Sequence, residues 1–213
     1  MPSPSCAILE PHREPEERLQ SGLQLWREMS GTSQPRLSLA GFEKKRERCN
    51  SDAEASLLHM MRQQHVIPQT TNIEKTLDFY AMMHSIEVST ENASVLAATL
   101  ANGGVCPLTG RLVLQPVTVR NTLSLMHSCG MGAESGEFAF KVGIPAKYCR
   151  TGAVILAVPG VLGACFQSPG VDHMDVPIRA KHFFTQMSER YSFHPYETTV
   201  RCRRHPRSCC CLC

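Results

Sequence analysis

The fold is decided by an uncharged stretch of sequence that reads Thr151-Gly-Ala-Val-Ile-Leu-Ala-Val-Pro-Gly-Val-Leu-Gly-Ala-Cys-Phe-Gln167. Its apolar residues form two short runs, Ala153–Val158 and Leu162–Gln167, which are separated by the turn-forming residues Pro159-Gly160-Val161. Two runs of this length around a Pro-Gly turn predict an antiparallel β-hairpin. The same proline and glycine argue against the other interpretation of this stretch, a membrane-spanning helix.

Helical patterns lie on both sides of this hairpin and dominate the chain. Apolar residues recur at helical spacing, and Asn72, Thr90 and Pro116 each stand where a helix would start. The predicted helices are Arg18–Met29, a segment at the C-terminal end of Glu43–His65, a segment after Asn72, Glu91–Ala101, Pro116–Cys129, a helical turn at Glu137–Lys141, and Val176–Tyr191.

This set of elements predicts an α+β fold that is mostly helical with one antiparallel hairpin. An isolated hairpin is marginally stable in water. Both runs are also apolar throughout, so each strand should be covered on both faces and paired within a wider sheet. Because no other strands are predicted, we expect part of the domain to be missing from these 213 residues.

Composition and charge exclude several classes of function. Apolar residues make up 42% of the chain and charged residues 19%, which is typical of a globular domain and not of a disordered polyelectrolyte. The net charge of +3 comes from four arginines near the C-terminus, and without them 18 basic residues stand against 19 acidic ones. A nearly neutral body lacks a phosphate-binding face, so we predict no nucleic-acid partner.

The eleven cysteines do not form the pattern of a disulfide framework. Five of them crowd into the last twelve residues, and the other six are scattered singly. Residues 1–22 contain no apolar leader and carry several glutamates, which argues against a signal peptide and against a transit peptide. We therefore expect reduced thiols, an intracellular location and no membrane partner.

No cofactor or metal is predicted. The histidines never stand at ligand spacing from acidic residues or cysteines. The glycines at 103–104 and 130–132 lack the Lys-Ser/Thr of a nucleotide-binding loop, so we interpret them as turns and helix ends.

Four longer stretches carry a resemblance to a known family. They are Leu77-Asp-Phe-Tyr80, Leu96-Ala-Ala-Thr-Leu-Ala-Asn-Gly-Gly-Val-Cys-Pro107, Arg120-Asn-Thr-Leu-Ser-Leu-Met-His-Ser-Cys-Gly-Met131 and Phe138-Ala-Phe-Lys-Val-Gly-Ile-Pro-Ala-Lys147. These stretches resemble the glutaminase family, serine-dependent amidohydrolases that convert L-glutamine to L-glutamate and ammonia. The resemblance covers about residues 23–197 and is strongest from Leu77 to Lys147.

The resemblance implies a β-lactamase-like fold, in which helices pack against an antiparallel sheet, truncated here on its N-terminal side. The family's nucleophile is the serine of a Ser-x-x-Lys pair, whose lysine eases removal of the hydroxyl proton. None of the lysines in this chain follows a serine by three positions. We therefore expect no catalytic residue in this chain and no hydrolysis of glutamine by the family's route.

Substrate-binding positions of the family can be matched one at a time. Tyr80 matches a tyrosine that helps to hold the glutamine. Lys45 stands in place of a glutamate that pairs with the substrate's α-ammonium group, and Asp52 replaces an asparagine that binds nearby. Lys45 would repel the ammonium group. A slip of one or two residues in this match would bring Glu47 into the carboxylate position instead.

Two further family positions are altered in the second half of the chain. Gly132 stands in place of a tyrosine whose hydroxyl serves proton transfer. After Ala146-Lys147 the family continues Ser-Gly-Val, and the backbone N–H of this strand edge faces the developing oxyanion. This chain has Tyr148, Cys149 and Arg150 there. Two bulky residues in place of serine and glycine should fill the space of the substrate.

We divide the chain into a mobile N-terminal segment (1–22), a partial glutaminase domain (23–197) and an Arg- and Cys-rich tail (198–213), which we expect to be disordered. Prenylation of the tail is less favoured, because neither Cys211 nor the terminal Cys213 fits the usual residue preferences. A zinc site within the tail is also less favoured, because adjacent cysteines are poorly spaced to close one. The resemblance implies a mitochondrial location, although no transit peptide is found. It also implies L-glutamine as a partner and a homo-oligomer or glutaminase subunit. A non-catalytic assembly partner of an intact glutaminase is the alternative function.

Overall fold

The computed structural model describes residues 12–31, 35–49, 52–149, 151–172 and 176–197. Arg150 and the tail 198–213 lie outside these ranges, and so do the expectations made for them. The described residues group into two compact units. One unit contains the described residues up to Glu28 and those from Pro35 to Ser89, and the other contains Met29–Gly31 and the described residues from Thr90 onward.

The first unit is helical, with one short two-stranded ribbon. Its elements are α1 (Pro15–Ser30), β1 (Arg36–Leu37), α2 (Leu39–Cys49), α3 (Asp52–Gln63), α4 (Ile73–Met83) and β2 (Ile86–Glu87). Strands β1 and β2 are antiparallel, with Leu37 opposite Ile86. Where the sequence analysis predicted one helical segment at the C-terminal end of Glu43–His65, the structure has two helices, α2 ending at Cys49 and α3 beginning at Asp52.

Helix α4 packs against both α2 and α3. It begins where the sequence predicts, because the side chain of Asn72 accepts a hydrogen bond from the Lys75 N–H at 3.0 Å. The apolar side of α4 is part of a buried cluster that contains Leu58, Ile67 and Leu77.

Helix α1 starts at Pro15, three residues earlier than expected, and so includes residues that the sequence analysis assigned to a mobile segment. Proline suits the first helical position, and Glu16 and Glu17 follow in the first turn, where negative charge is favourable. The guanidinium of Arg18 lies 4.0 Å from the centre of the Phe79 ring. The predicted start of this helix, Arg18, was thus three residues late.

The second unit contains the predicted hairpin. Its elements are α5 (Thr90–Ala101), α6 (Pro116–Cys129), a 3-10 turn (Gly132–Glu134), α7 (Ser135–Lys141), β3 (Ala146–Tyr148), β4 (Ala153–Val158), β5 (Leu162–Gln167) and α8 (Ile178–Tyr191). The helix that follows Thr90 and the helix that starts at Pro116 are both confirmed, as are both strands of the hairpin.

The hairpin belongs to a three-stranded antiparallel sheet of order β3-β4-β5. The sequence analysis expected only two strands and was wrong here. The added strand β3 pairs Ala146 with Leu156 and Tyr148 with Val154. Three residues are too few to show an alternating pattern, so only the pairing with β4 makes this segment a strand.

Both faces of this sheet are covered by helices. On one face Val154 and Leu156 of β4 and Phe166 of β5 pack in a cluster with Phe184 of α8. Gly163 belongs to the opposite face, because side chains alternate along a strand. A Cβ atom at Gly163 would lie 1.9 Å from the Ala98 nitrogen, so α5 packs directly on the backbone of β5. The unit is a helix–sheet–helix sandwich, consistent with the expected α+β fold.

Candidate active site

In the first unit, Tyr80 occupies a buried position on α4. Its side chain is 2% exposed and belongs to the cluster that contains Leu58 and Leu77. Its ring lies 4.3 Å from the ring of His84, measured between centroids. These two residues are four positions apart and face the same side of the helix, as the predicted helical spacing requires.

The ammonium group of Lys45 lies over the ring of Tyr80. Its Nζ lies 5.0 Å from the centre of the Tyr80 ring, so helix α2 brings together two positions singled out in the sequence. The attraction between an ammonium group and an aromatic face stabilises this contact. A cation here would repel the α-ammonium group of an amino acid, as the sequence analysis expects.

The sequence analysis matched Lys45, or alternatively Glu47, to the family's carboxylate position, and these two residues have different environments in the structure. Glu47 is exposed on α2, whereas Lys45 is half-buried against Tyr80. A carboxylate that the sequence analysis did not single out lies close to Lys45: Glu54 of α3, whose Oε1 is 3.9 Å from the Lys45 Nζ. Asp52 is the first residue of α3, and its side chain lies outside the described part of the structure.

In the second unit, Gly132 lies directly against Tyr148. The φ angle of Gly132 is +57°, a conformation that glycine adopts readily. A Cβ atom added to Gly132 would lie 2.8 Å from the Tyr148 hydroxyl oxygen and 3.0 Å from the ring carbon beside it. The Tyr148 backbone N–H donates to the Gly130 carbonyl at 3.2 Å, which holds β3 beside this turn.

Cys149 and Gly152 lie between β3 and β4. The Cys149 N–H donates to the Ala153 carbonyl at 2.7 Å, and the Gly152 N–H donates to the Cys149 carbonyl at 3.0 Å. These two backbone donors are therefore already used. The oxyanion-binding position that the family resemblance implies in this segment is Arg150, which lies outside the described residues.

Comparisons with known proteins agree on one family. A family model described as Glutaminase matches residues 5–196. The mitochondrial liver isoform of glutaminase from Mus musculus is 39% identical over 188 residues, which cover 88% of this chain and 31% of that protein. A glutaminase from Nostoc sp. is 34% identical over 151 residues, covering 71% of this chain and 45% of the relative. The chain belongs to the glutaminase family.

Solved structures place the fold in the same family. A structure described as Mglu in its glutamate form is 28% identical and matches with a TM-score of 0.80, covering 89% of this chain and 43% of that chain. A second structure of Mglu matches with a TM-score of 0.81 and covers 48% of its chain. This glutaminase-family chain thus spans less than half of these structures and about a third of the mouse relative.

Cys106, Cys129, Cys149 and Cys165 are free thiols. Burial raises the pKa of Cys165. In the described ranges, no three His, Cys, Asp or Glu side chains come together as a metal site. In the same part of the chain, no helix is both long and apolar enough to cross a bilayer.

Sequence reasoning missed the two side chains that contact the altered family positions. Glu54 is brought to Lys45 by the packing of α2 against α3, and no local pattern marks it. Tyr148 was expected to fill substrate space, but its contact with Gly132 was not foreseen. The available signal was a pair of sequence expectations: Tyr148 is a bulky residue where the resemblance implies serine, and Gly132 is a small residue where it implies tyrosine.

Proposed function

We propose that this glutaminase-family chain does not hydrolyse L-glutamine on its own. One observation carries the proposal: no lysine among its 213 residues follows a serine by three positions, so the family's Ser-x-x-Lys nucleophile pair is absent from them. Without an activated hydroxyl, the amide carbon has no protein nucleophile. L-Glutamine remains the substrate that the family assignment suggests for the family's reaction.

The geometry of the altered positions supports this proposal. Lys45 places a cation against Tyr80, where the resemblance implies a carboxylate for the substrate's ammonium group. Gly132 supplies no hydroxyl, and the hydroxyl beside it belongs to Tyr148. The N–H groups of Cys149 and Gly152 are engaged in backbone hydrogen bonds. We expect the change at Lys45 to weaken substrate binding and the change at Gly132 to weaken proton transfer.

The test is release of ammonia from L-glutamine by the purified chain, followed with a coupled glutamate dehydrogenase assay in phosphate buffer. We expect no rate above that of buffer, and the same result for Tyr80→Phe, while an intact glutaminase gives a strong signal. Mass spectrometry after treatment with a glutamine-derived diazoketone should show no labelled serine. Ammonia release that Tyr80→Phe reduces, or stoichiometric labelling of one serine, would contradict the proposal.

A second candidate function is that of an assembly partner, as a homo-oligomer or as a subunit beside an intact glutaminase. Helix α6 favours it, because this 14-residue helix buries only Val119 and Met126. On its surface Val117 is 58% exposed and Leu125 is 64% exposed. Exposed apolar side chains of this size are typical of a contact surface. Mitochondrial relatives such as the mouse liver isoform suggest the compartment in which such a partner would be found.

Sedimentation velocity and co-purification with an intact glutaminase distinguish this candidate. We expect a mass above the 23.6 kDa monomer, alone or with the partner. Leu125→Glu should abolish the association, and Ser124→Glu, at the neighbouring exposed position, should not. A monomer that co-purifies with nothing would exclude an assembly role.

A further inference from the structure

Strand β5 forms one edge of the three-stranded sheet in the second unit. Strand β4 lies on one side of it, and no strand of the described part of the chain lies on the other, because the sheet order is β3-β4-β5. Four of the six residues of β4 are buried, whereas none of the six residues of β5 is. Neither the family positions discussed above nor the contact surface of α6 includes this edge.

The hydrogen bonds of the sheet show which backbone groups of β5 point outward. In an antiparallel pair, alternate residues direct both their N–H and their C=O groups to the same neighbouring strand. The Ser168 N–H donates to the Gly152 carbonyl at 3.0 Å, so even-numbered positions of β5 face β4. The Ala157 N–H donates to the Pro145 carbonyl, so odd-numbered positions of β4 face β3, in agreement with this assignment. The residues of β5 whose backbone groups point away from β4 are Gly163, Cys165 and Gln167.

These outward groups are open, in contrast to those at the other edge of the sheet. None of the three N–H groups or the three carbonyls has a hydrogen-bond partner among the described residues. At the other edge, the Tyr148 N–H donates to the Gly130 carbonyl at 3.2 Å, and the Ala146 carbonyl lies against Gly130. The end of α6 therefore covers β3, whereas β5 presents a row of unpaired groups that can bind another strand.

The sequence of β5 contains none of the residues that protect an edge from such pairing. Leu162–Gln167 has no charged residue and no proline, which are the usual means of protection. Pro159 and Pro169 lie outside the two ends of the strand and limit the pairing to the residues between them. The apolar pattern of this hairpin also predicts a wider sheet, and the outer edge of β5 is where the sheet can continue.

A second copy of the same strand matches this edge. When two β5 strands run antiparallel about a two-fold axis at Cys165, Gly163 of each copy lies opposite Gln167 of the other. In this register every outward N–H and carbonyl of both strands has a partner. On the other face, Phe166 of each copy lies opposite Ala164 of the other, a large side chain beside a small one. No charges oppose each other, because the strand has none.

Aromatic side chains beside the edge add an apolar contact area. The ring of Phe166 stacks on the ring of Phe183 of α8, with 5.2 Å between centroids. Phe183 is 47% exposed, and Phe166 is partly exposed. A strand paired with β5 would shield these rings from water, and the burial of their apolar area favours association.

We propose that β5 pairs antiparallel with β5 of a second copy of this chain, so that one sheet continues across a two-fold axis. Among the described strands of the sheet only β5 has an open edge, so the pairing uses it up and gives a closed dimer. The inference rests neither on the loss of glutamine hydrolysis nor on the surface of α6.

Amide hydrogen exchange followed by mass spectrometry, with fragmentation that resolves single residues, tests the proposal over a range of micromolar concentrations. The full-length chain carries Leu125→Glu, so that association through α6 does not contribute. Exchange at Gly163, Cys165 and Gln167 should slow several-fold as the concentration rises. The even-numbered amides of β5 should exchange slowly at every concentration, because β4 binds them. Sedimentation velocity should show the mass rising from 23.6 kDa towards twice that value.

Gln167→Pro is the variant that closes the edge. Proline removes the outward N–H at an exposed edge position, where its fixed φ angle is compatible with a strand. One hydrogen bond is lost from each copy, so dimerisation should weaken about tenfold or more. Gln167→Ala is the matched control. It loses the same side-chain bond to the Thr151 carbonyl but keeps the N–H, so the dimer should be unchanged. Thermal melting checks that both variants are folded.

Three results would overturn the proposal. One is exchange at positions 163, 165 and 167 that does not depend on concentration, a measurement that needs no proline variant. Another is equal dimerisation of Gln167→Pro and Gln167→Ala. The last is protection of these amides only after an intact glutaminase is added, because the pairing strand would then come from that protein. The assay of ammonia release is independent of all three, so the proposed lack of activity is tested separately.

Discussion

Gly132 and Tyr148, two positions that the sequence analysis expects to differ from the glutaminase pattern, share one space. The Tyr148 hydroxyl lies 2.8 Å from the point where a Gly132 side chain would begin. Any side chain at position 132 would therefore have to displace the phenol. We interpret the two residues as a coupled pair, in which the small residue permits the large one.

A double-mutant cycle tests this coupling. Gly132→Ala should lower the free energy of unfolding by about 2–3 kcal/mol, because alanine at φ +57° is strained and its methyl group meets the phenol. In a Tyr148→Ser background the same change should cost only about 1 kcal/mol, the backbone strain alone. Urea denaturation measures both differences.

Gly103 provides the matched control for this cycle. Its φ angle is +68°, and a Cβ atom there would meet nothing within 4 Å. Gly103→Ala should therefore cost only the backbone strain, about 1 kcal/mol, whatever stands at position 148. If Gly132→Ala costs the same in both backgrounds, the two residues are not coupled.

At the scale of elements, Lys181 connects α8 to the turn and helix before the sheet. Its Nζ lies 2.9 Å from Glu134 and 3.2 Å from Glu137. Hydrogen bonds from Lys141 first, and then from Lys181, hold the pKa of Glu137 below its ordinary value. Burial alone would lower the pKa of Lys181, but its bonds to Glu134 and Glu137 raise it above the ordinary value.

These shifts predict how stability depends on pH. A lowered Glu137 pKa stabilises the fold above the ordinary value of 4.5, and this contribution is lost as the pH falls through the folded-state value. A raised Lys181 pKa stabilises the fold below 10.5, and this contribution is lost as the pH rises through the folded-state value. The ion pairs of Lys181 with Glu134 and Glu137 therefore contribute fully to the stability of the fold between pH 4.5 and pH 10.5.

Lys181→Met should reduce the free energy of unfolding by up to about 1 kcal/mol near neutral pH. The difference from the parent chain should shrink as the pH falls below 4.5 and as it rises above 10.5, as measured by urea denaturation across pH. Lys75→Met is the control, because the Lys75–Glu14 pair is well exposed and should contribute little. A constant effect of Lys181→Met at all pH values would show that packing, and not charge, causes it.

The stability of the whole second unit depends on how closely α5 approaches the sheet. Gly163→Ala would place a methyl group 1.9 Å from the Ala98 nitrogen, and backbone on both sides leaves no flexible atom to move. We expect a loss of about 3 kcal/mol or more in the free energy of unfolding. Circular dichroism during chemical denaturation gives this value.

Gly136 is the matched control for this change. It lies in α7, where a Cβ atom would meet nothing within 4 Å and where the backbone is helical. Gly136→Ala should be neutral or should stabilise the chain by about 0.5–1 kcal/mol. Equal effects of the two alanines would mean that α5 does not pack on β5 as closely as the structure shows.

Much of the fold could be read from single residues. The side chain of Asn72, the proline at position 116 and the Pro-Gly turn at 159–160 act on their immediate neighbours, so the elements they start or join were predicted close to their true bounds. The start of α1 and strand β3 were not predicted. Each depends on a partner distant in sequence, Phe79 for Arg18 and β4 for β3.

The amino-acid sequence by itself determined the family, the helical elements with their hairpin, and the absence of a Ser-x-x-Lys pair from these 213 residues, because motifs, caps and turns are local properties of the chain. Only the tertiary structure decided that Lys45 faces Tyr80, that Tyr148 fills the space over Gly132, and that α5 lies on the backbone of β5. These contacts join residues that lie apart in the chain, and packing free energy, which no local pattern encodes, selects them.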